Sequence, residues 1–290
     1  MGQRCAAPED YNKKEIRRFC GAKATDKAFQ SRIDYKNWVP KSMVLGALAA
    51  TAVSIILLIV SEYFTTGKLH TFCFIFLSLI MLASAVCSVM FISWYQAFSY
   101  KGRRKLSKHI IEGIAEYVKI PDGGRGLDVG CGSGALTIAC AKKNPKAQII
   151  GIDRWGKDYK SFSKALCERN AKAEGVNNTS FQQGDAAKLD FPDESFDCVT
   201  SNYVYHNITG ADKQALLKET LRVLKKGGTF AIHDLMSPIR YGNMQKFVSE
   251  LKKEGYEKVE LIDTTNNMFM SRREAVRLLL GGSTLLTGKK

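Results

Sequence analysis

Residues Arg125 to Ala135 read Arg-Gly-Leu-Asp-Val-Gly-Cys-Gly-Ser-Gly-Ala, an apolar run that ends in three alternate glycines. This pattern predicts a strand, a tight turn and the start of a helix. Because Gly130, Gly132 and Gly134 carry no Cβ, the turn can adopt positive φ angles and a ligand can lie against bare amides. Unpaired amides at a helix N-terminus favour a carboxylate or a phosphate. We therefore expect a small ligand to bind at this turn.

The glycine spacing alone leaves two ligand classes open, a dinucleotide and an amino-acid-like ligand, because Gly130-x-Gly132-x-x-Ala135 also fits the relaxed dinucleotide fingerprint. Asp128 favours the other class, since an acid two residues before the first glycine would repel phosphates but could accept from the amino group of an amino-acid-like ligand. In Leu127-Asp128-Val129-Gly130-Cys131-Gly132-Ser133-Gly134 the chain resembles the class I S-adenosylmethionine-dependent methyltransferases. The resemblance runs from about Gly102 to the C-terminus and implies S-adenosylmethionine as cofactor, with S-adenosylhomocysteine as product.

Strands alternate with helices after the glycine turn, which predicts a mostly parallel, doubly wound, Rossmann-like sheet. Counting the strand before the turn, we expect seven strands, as in the class I methyltransferases, and the resemblance implies that the last is antiparallel. The other predicted strands are Ala147–Ile152, Thr179–Gln183, Phe196–Ser201, Thr229–His233, Val259–Asp263 and Ser283–Thr287. The predicted helices span Ser107–Val118, the residues from the turn to Lys143, Lys157–Glu174, Asp212–Leu224, Pro238–Glu254 and a short segment capped by Ser271.

Acidic residues follow two of these strands, at the edge where such sheets bind ligands. Asp153 can accept hydrogen bonds from both ribose hydroxyls, although an isolated Asp at a strand end is more often a cap. The glycine turn favours the ribose. The resemblance places the adenine at Asp185 and Ala186, where a plain Gly-Asp turn is the alternative. Further expected cofactor contacts are Tyr100, Asp128, Gly130, Cys131, Gly132, Gly134, Arg154, Ser201 and Asn202.

The residues after the fourth strand bear on the acceptor. Ser201 to Asn207 do not form the Asn-Pro-Pro-aromatic pattern of many DNA and exocyclic-amine methyltransferases. They resemble more closely the branch that methylates small molecules, including quinone precursors, sterols and other lipids. His206 is the candidate catalytic base, with a packed or capping histidine as the alternative. His233 and Asp234 could face the acceptor or merely bond the backbone.

Composition limits the partners. The eight cysteines contain no Cys-x-x-Cys pair and form no metal-type cluster with the four histidines, so we expect reduced thiols and no metal site.

A net charge of +15 suits nucleic acid or an anionic membrane. Ser42 to Ser61 and Thr71 to Tyr100 contain no charged side chain, and about 20 such residues cross a bilayer. We predict two transmembrane helices and no nucleic-acid binding. Buried soluble helices are the alternative, and a signal peptide is disfavoured because the first run begins at residue 42.

The nine-residue connection Glu62 to His70 requires an antiparallel hairpin. Ten Lys or Arg residues precede it and five closely follow it, whereas Lys68 stands alone in the loop, so both termini and the enzyme domain should be cytoplasmic. Small residues on the helices, Gly46, Ala50, Ser54, Ser84 and Ser88, could bring helices together within one chain or in a homo-oligomer. We divide the chain into a basic segment (1–41), which forms an interfacial helix around Lys13–Gln30 or a solvated tail, a hairpin (42–95), a basic linker (96–106) and a methyltransferase domain (107–290).

These features predict a membrane-anchored methyltransferase that acts on a hydrophobic small molecule or lipid at the cytoplasmic face of the bilayer. Two alternatives remain. One is a protein methyltransferase acting on a membrane partner, and the other is a non-catalytic sensor or scaffold that binds S-adenosylmethionine. The glycine turn and Asp153 predict cofactor binding in all three cases and do not separate them.

Overall fold

A computed structural model describes residues 33–155 and 162–290. The described chain divides into two compact units, residues 36–109 and residues 33–35 with 110–290, which we name the helical unit and the catalytic unit. The interfacial helix predicted around Lys13–Gln30 and the first residues of the helix predicted from Lys157 lie outside the described residues.

The helical unit consists mainly of two long helices, α1 (Lys41–Phe64) and α2 (Gly67–Phe98), joined through Thr65 and Thr66. They form the predicted antiparallel pair, since Thr51 Oγ1 lies 3.1 Å from Ser88 Oγ and Ser54 Oγ lies 3.4 Å from Ser84 Oγ. The small polar residues therefore meet within one chain. Whether a second copy also binds these helices stays a prediction.

The outer surface of the helix pair is apolar. Only five helix residues are buried, Ser54, Ser61, Ser88, Ala97 and Phe98. Large side chains such as Leu45 and Phe72 are 64% exposed, and all but three of the exposed large apolar side chains in the described residues belong to α1 and α2. Both helices are long and apolar enough to cross a membrane.

The catalytic unit is built on a seven-stranded sheet with the order β3-β2-β1-β4-β5-β7-β6. Strands β1 to β6 run parallel, and β7 is antiparallel to both of its neighbours. The strands are β1 (Arg125–Val129), β2 (Gln148–Asp153), β3 (Thr179–Gln183), β4 (Phe196–Asn202), β5 (Leu224–Leu235), β6 (Glu257–Asp263) and β7 (Ser283–Lys289). This confirms the predicted fold class, including the antiparallel last strand.

Helices cover both faces of this sheet in the predicted alternation. After α3 (Leu106–Ala115), which begins in the helical unit, they are α4 (Ala135–Lys143), α5 (Lys164–Glu174), α6 (Lys213–Arg222), α7 (Pro238–Tyr241), α8 (Met244–Lys253) and α9 (Arg272–Arg277). A 3₁₀ turn at Tyr205–Asn207 follows β4. Asp212 caps α6 and Ser271 caps α9, each through its side-chain oxygen.

Two predicted boundaries were wrong. The single helix expected from Pro238 to Glu254 is broken into α7 and α8 at Gly242, whose φ of 68° and ψ of −150° suit glycine only. Asn243 then caps α8. Strand β5 begins five residues before Thr229, at Leu224, where a register shift against β4 admits the Gly227–Gly228 segment.

Successive side chains of β1 point to opposite faces of the sheet, so that some enter the main apolar core and others do not. Leu127 and Val129 belong to the main apolar core, with Leu217 of α6 and Phe247 of α8. Asp128 lies on the other face, where it meets Thr137 of α4. The carboxyl ends of the parallel strands therefore rise from a packed interior, and the loops at that edge are free to build a site.

Candidate functional site

The glycine turn has the predicted backbone. Gly130, Gly132 and Gly134 have φ angles of 75°, 56° and 81°. A Cβ on Gly130 would lie 2.2 Å from Val204 Cγ2, so glycine is required there by space as well as by conformation. The loop after β4, which carries Val204, consequently packs directly on the turn.

Asp153, at the end of β2, stabilises this turn through hydrogen bonds. Its Oδ2 accepts from the Gly132 amide at 2.8 Å and its Oδ1 from the Trp155 amide at 3.0 Å, while the Trp155 indole donates to the Gly132 carbonyl at 3.0 Å. A carboxylate has more acceptor sites than these two bonds use. Asp153 is thus held at the turn and can still accept from ligand hydroxyls, and its contact with the ribose stays a prediction.

The predicted adenine residues lie at the end of the neighbouring strand. Asp185 Oδ1 accepts from the Ala187 amide at 2.9 Å, which is the turn geometry weighed as the alternative. Its Oδ2 also lies 3.9 Å from Arg154 Nε. Ala186 is 8% exposed. The structure therefore brings Arg154 and Asp185 together beside Asp153, as expected for one cofactor site.

Asp128 is buried inside the protein. The residue is 1% exposed, and its carboxylate accepts from Thr137 Oγ1 at 2.6 Å and Thr200 Oγ1 at 3.2 Å. Burial raises the pKa of this carboxyl to about 6, although the two threonine hydrogen bonds lower it. Because strand alternation turns Asp128 towards α4, its side chain joins β1 to α4 and β4 through these two threonines. Its contact with the amino group of a ligand stays a prediction.

Two other predicted contacts have buried side chains. Ser201 is fully buried and donates to the Val129 carbonyl at 2.9 Å, so its hydroxyl ties β4 to β1 and does not face a ligand. Cys131 is buried as well. Its pKa lies well above the usual value, chiefly because of burial and secondly because of the nearby Cys167 thiol. The cofactor contacts of Ser201 and Cys131 stay predictions. Tyr100 belongs to the helical unit, and its contact stays a prediction.

His206, the candidate base, forms a pair with Asp234. His206 Nδ1 lies 2.5 Å from Asp234 Oδ1. The fully buried Asp234 carboxylate also accepts from the backbone amides of Tyr205, His206 and Leu235. Burial would raise the pKa of Asp234, but the hydrogen bonds from His206 and from the Leu235 amide hold it below its usual value. An ionised Asp234 only accepts, so His206 must carry its proton on Nδ1.

The other ring nitrogen of His206 makes no hydrogen bond with any described residue, and the side chain is 16% exposed. His206 lies two residues beyond Val204, which contacts Gly130. Tyr241 of α7 adds a buried hydroxyl beside Asp234, although its geometry falls short of a well-formed hydrogen bond. Burial and the nearby Asp234 charge raise its pKa. A candidate base thus lies near the glycine turn, and a second polar atom lies beside its partner Asp234.

His233 has a structural role. It is fully buried, its Nδ1 lies 2.9 Å from Asn202 Oδ1, and its Nε2 lies 2.9 Å from Thr264 Oγ1. Burial lowers its pKa to about 3, so the ring is neutral. Of the pair His233 and Asp234 weighed from the sequence, only Asp234 is joined to the candidate base. Asn202 is tied to His233 through its side-chain oxygen, and its contact with the cofactor stays a prediction.

Sequence reasoning missed a contact from the N-terminal side. Ser133 Oγ, in the glycine turn, donates to the Tyr35 carbonyl at 2.9 Å. Asn170 of α5 exchanges hydrogen bonds with the Asp34 backbone, at 2.9 Å and 3.0 Å, and its amide also donates to the Ser133 carbonyl. Residues 34 and 35 are therefore part of the cofactor turn's support. A separation of 98 residues between Tyr35 and Ser133 leaves no local signal for this contact.

The site fits S-adenosylmethionine by its own geometry. The glycine turn lets a ligand approach the backbone closely, although the amides of Gly130, Cys131, Gly132 and Gly134 already donate within the protein. Asp153, Arg154 and Asp185 add polar groups at the ends of β2 and β3. Among residues 33–155 and 162–290, no group of His, Cys, Asp and Glu could hold a metal ion. The arrangement therefore suits a polar organic cofactor lying along the carboxyl edge of the sheet.

Comparison with known proteins agrees with this geometry. A methyltransferase-domain family model matches residues 120–276, slightly more than half of the chain. The demethylmenaquinone methyltransferase of Geobacillus kaustophilus is 28% identical over 178 residues, which cover 58% of this chain and 73% of that protein. An uncharacterised methyltransferase of Schizosaccharomyces pombe is 40% identical over 116 residues, and the chain spans only 40% of its length.

Two further matches point the same way. A sterol 24-C-methyltransferase of Aspergillus fumigatus is 33% identical over 131 residues, covering 45% of this chain and 33% of that protein. A solved structure of geranyl diphosphate methyltransferase, in complex with GPP and sinefungin, superposes with a TM-score of 0.51 at 12% identity, over 67% of this chain and 81% of that chain, and shows the fold alone. The chain belongs to the methyltransferase-domain family and is an S-adenosylmethionine-dependent methyltransferase.

Proposed function

We propose that this methyltransferase is anchored in a membrane by α1 and α2 and methylates a hydrophobic small molecule or lipid at the cytoplasmic face. The observation that carries the proposal is the apolar outer surface of the helix pair, where Leu45, Ile56 and Phe72 are 64%, 58% and 64% exposed. A surface of this extent is unstable in water unless lipid or protein covers it. An enzyme fixed to a bilayer gains most when its acceptor is in the bilayer.

The relatives support the acceptor class. One is named for demethylmenaquinone and another for a sterol, both of which are lipid-soluble compounds. This chain covers 73% and 33% of the lengths of these two relatives. The acceptor of this protein is therefore proposed as a chemical class, a hydrophobic small molecule or lipid.

The chemistry follows from the residues of the catalytic unit. When bound, S-adenosylmethionine supplies an electrophilic methyl group on a sulfonium. The protein aligns the two reactants and excludes water, an effect that can reach roughly 7 to 11 kcal/mol. Asp234 holds the proton of His206 on Nδ1, which leaves the lone pair of Nε2 available to accept a proton from an acceptor hydroxyl.

Methyl transfer tests the proposal. Purified full-length protein is incubated with methyl-labelled cofactor and fractionated membranes, and the label is followed into organic extract and protein, with Asp153→Ala as the matched control. We expect label in the organic extract that depends on Asp153. Label confined to protein would replace this proposal with a protein methyltransferase, and an absence of turnover despite cofactor binding would favour a sensor or scaffold.

The proposed topology has a separate test. With both termini in the cytoplasm, the short connection between α1 and α2 lies on the other side of the membrane. A cysteine introduced by Thr66→Cys, after removal of the native cysteines, should react with an impermeant reagent in intact cells. Reaction only after lysis would reject the hairpin or its orientation, whichever acceptor is used.

A further inference from the structure

Three large apolar side chains of the catalytic unit are exposed within its described residues. Ile239 on α7 is 97% exposed, and Val276 and Leu279, at the end of α9 and just after it, are 71% and 67% exposed. Apolar side chains scattered singly over a surface need no explanation, whereas a cluster of them can mark a binding surface. The question is therefore whether these three side chains lie together.

All three side chains lie at the edge of the sheet that carries the candidate site. Helix α7 follows the carboxyl end of β5, and Leu279 precedes the start of the antiparallel β7. Leu235 pairs with Ser283 in the ladder, and the Met236 amide donates to the Gly282 carbonyl at 2.9 Å. The two connections consequently leave the sheet side by side. They lie close to the candidate base, because Arg240 of α7 reaches the His206 carbonyl at 3.4 Å.

Exposed arginines accompany the apolar side chains. Arg240 follows Ile239, and Arg272 and Arg273 precede Val276 by one helical turn on α9, whose Ala275 is buried, as is the following Leu278. Two acids belong to the same part of the chain: Asp263 pairs with Arg272 at 3.8 Å, and Glu274 is half-buried. We name this surface the edge patch; it comprises Ile239, Arg240, Arg272, Arg273, Val276, Arg277 and Leu279.

We propose that the edge patch docks the catalytic unit on the anionic headgroups of a lipid bilayer. This inference rests on the proposed membrane function and adds a second lipid contact, made by the enzyme itself. Apolar side chains among cations are the composition of surfaces that lie in the lipid interface. A second copy is a poorer occupant, because two copies related by a two-fold axis would bring four arginines against four arginines.

The docking has a consequence for catalysis. The edge patch lies beside the loop of His206, so a docked catalytic unit presents its acceptor site to the lipid interface. A lipid-soluble acceptor then reaches the base without crossing bulk water. The hairpin supplies attachment in this account, and the edge patch supplies orientation.

Quenching by lipid tests this proposal in the full chain. Exposed cysteines are replaced, and the protein is labelled with one fluorophore through Val276→Cys, Leu57→Cys or Asp122→Cys. It is then reconstituted in vesicles whose acyl chains carry bromine, made either of phosphatidylglycerol with phosphatidylcholine or of phosphatidylcholine alone. Leu57 reports insertion of α1, and Asp122, just before β1, reports the opposite edge of the sheet.

We expect the label at position 276 to be quenched in the anionic vesicles and much less in the neutral ones, with no quenching at position 122. Quenching at 57 with none at 276 would overturn the edge patch and leave the anchor intact. An absence of quenching at 57 would instead reject the proposed anchor, and the result at 276 would then decide the edge patch alone.

Charge neutralisation provides a second measurement. In the triple variant Arg272→Gln, Arg273→Gln, Arg277→Gln, the docking equilibrium should weaken by about fivefold for each arginine removed. The matched control is Lys226→Gln, Lys252→Gln, Lys253→Gln, which removes the same charge from exposed positions at the opposite edge. Equal quenching in the two triple variants would contradict an arginine-dependent docking.

Discussion

The two units of this chain place the same kinds of residue in opposite positions. In the helical unit Ser54 is 2% exposed while Leu45 is 64% exposed, and in the catalytic unit Leu217 is fully buried. The hydroxyls of α1 and α2 pair with each other across the helix contact, and the aliphatic side chains point outward. This difference is the one expected if water surrounds the catalytic unit and, as proposed above, lipid surrounds the hairpin.

The largest expected effect is on the rate of methyl transfer, because the candidate base His206 belongs to the catalytic unit. His206→Ala should lower kcat by about 10²- to 10⁴-fold, the usual contribution of a general base. The loss should be the same for an acceptor in vesicles and for one dispersed in detergent, because the base acts on either. Initial rates of label transfer measure it.

His109→Ala, which changes an exposed histidine of α3, is the matched control and should retain full activity. Cofactor affinity should stay unchanged in both variants. Full turnover by His206→Ala would show that no base is needed, and it would also remove the role given to Asp234.

A paired substitution compares the interiors directly. Leu217→Ala creates a cavity in the core between β4 and α6 and should lower the free energy of unfolding by about 2 to 5 kcal/mol. Ile56→Ala truncates a side chain that is 58% exposed and should leave the unfolding of the catalytic unit unchanged. Denaturant unfolding in detergent, followed by cofactor binding, gives both values. A comparable loss in Ile56→Ala would mean that the outer helix face packs on protein.

The buried carboxyl beneath the glycine turn predicts a pH dependence. The pKa of Asp128 is raised from 3.8 to about 6, chiefly by burial. Folding therefore favours its protonated form, so its contribution to stability is present below about pH 4 and is lost as the pH rises through about 6. The penalty at pH 7 is about 3 kcal/mol at most.

Asp128→Asn should accordingly be more favourable, relative to wild type, at pH 7 than at pH 4. Unfolding free energies at the two pH values measure this difference, with the exposed Asp122→Asn as control. The same difference for both variants would place the Asp128 carboxylate in water, in conflict with its burial.

The smallest of these effects is on cofactor binding. Asp153→Ala removes a carboxylate that accepts from the Gly132 amide and is predicted to bind the ribose. Affinity for S-adenosylmethionine should fall by about 1.5 to 3 kcal/mol, the usual value for hydrogen bonds to a charged group. Calorimetry measures this change. Asp122→Asn again serves as control, and unchanged affinity in Asp153→Ala would remove Asp153 from the cofactor site.

Local patterns predicted most of the fold. Apolar runs bounded by glycine and proline placed all seven strands, and Thr179–Gln183 matches to the residue. The charge-free runs placed both long helices. Helix α1 extends beyond its run at both ends, whereas α2 begins four residues before Thr71 and ends at Phe98, two residues before Tyr100. Gly242 was harder, because its backbone break depends on the packing of α7 and not on the helical pattern that surrounds it.

The site was predictable only in part. Spacing placed Gly130, Asp153 and Asp185 at the carboxyl edge, where they lie. The burial of Asp128 follows from which face of the sheet α4 covers, and a strand pattern does not contain that information. The Tyr35 contact with Ser133 joins distant parts of the chain. A truncation designed from the sequence alone would have removed Tyr35 with the hairpin.

The most direct test of the division separates attachment from folding. A variant in which residues 36–105 are replaced by a flexible Gly/Ser linker of about 30 residues, spanning roughly 30 Å, keeps Tyr35 and the catalytic unit. Its label transfer is compared with that of the full chain, using one membrane extract as acceptor, either in vesicles or dispersed in detergent. Cofactor affinity is measured alongside to show that the variant is folded.

We predict equal turnover in detergent and a loss on the order of 10²-fold in vesicles, because only the anchored enzyme is held at the surface that contains the acceptor. Equal losses in detergent and in vesicles, in a variant that binds the cofactor normally, would contradict the central claim that the hairpin brings this methyltransferase to an acceptor in the membrane.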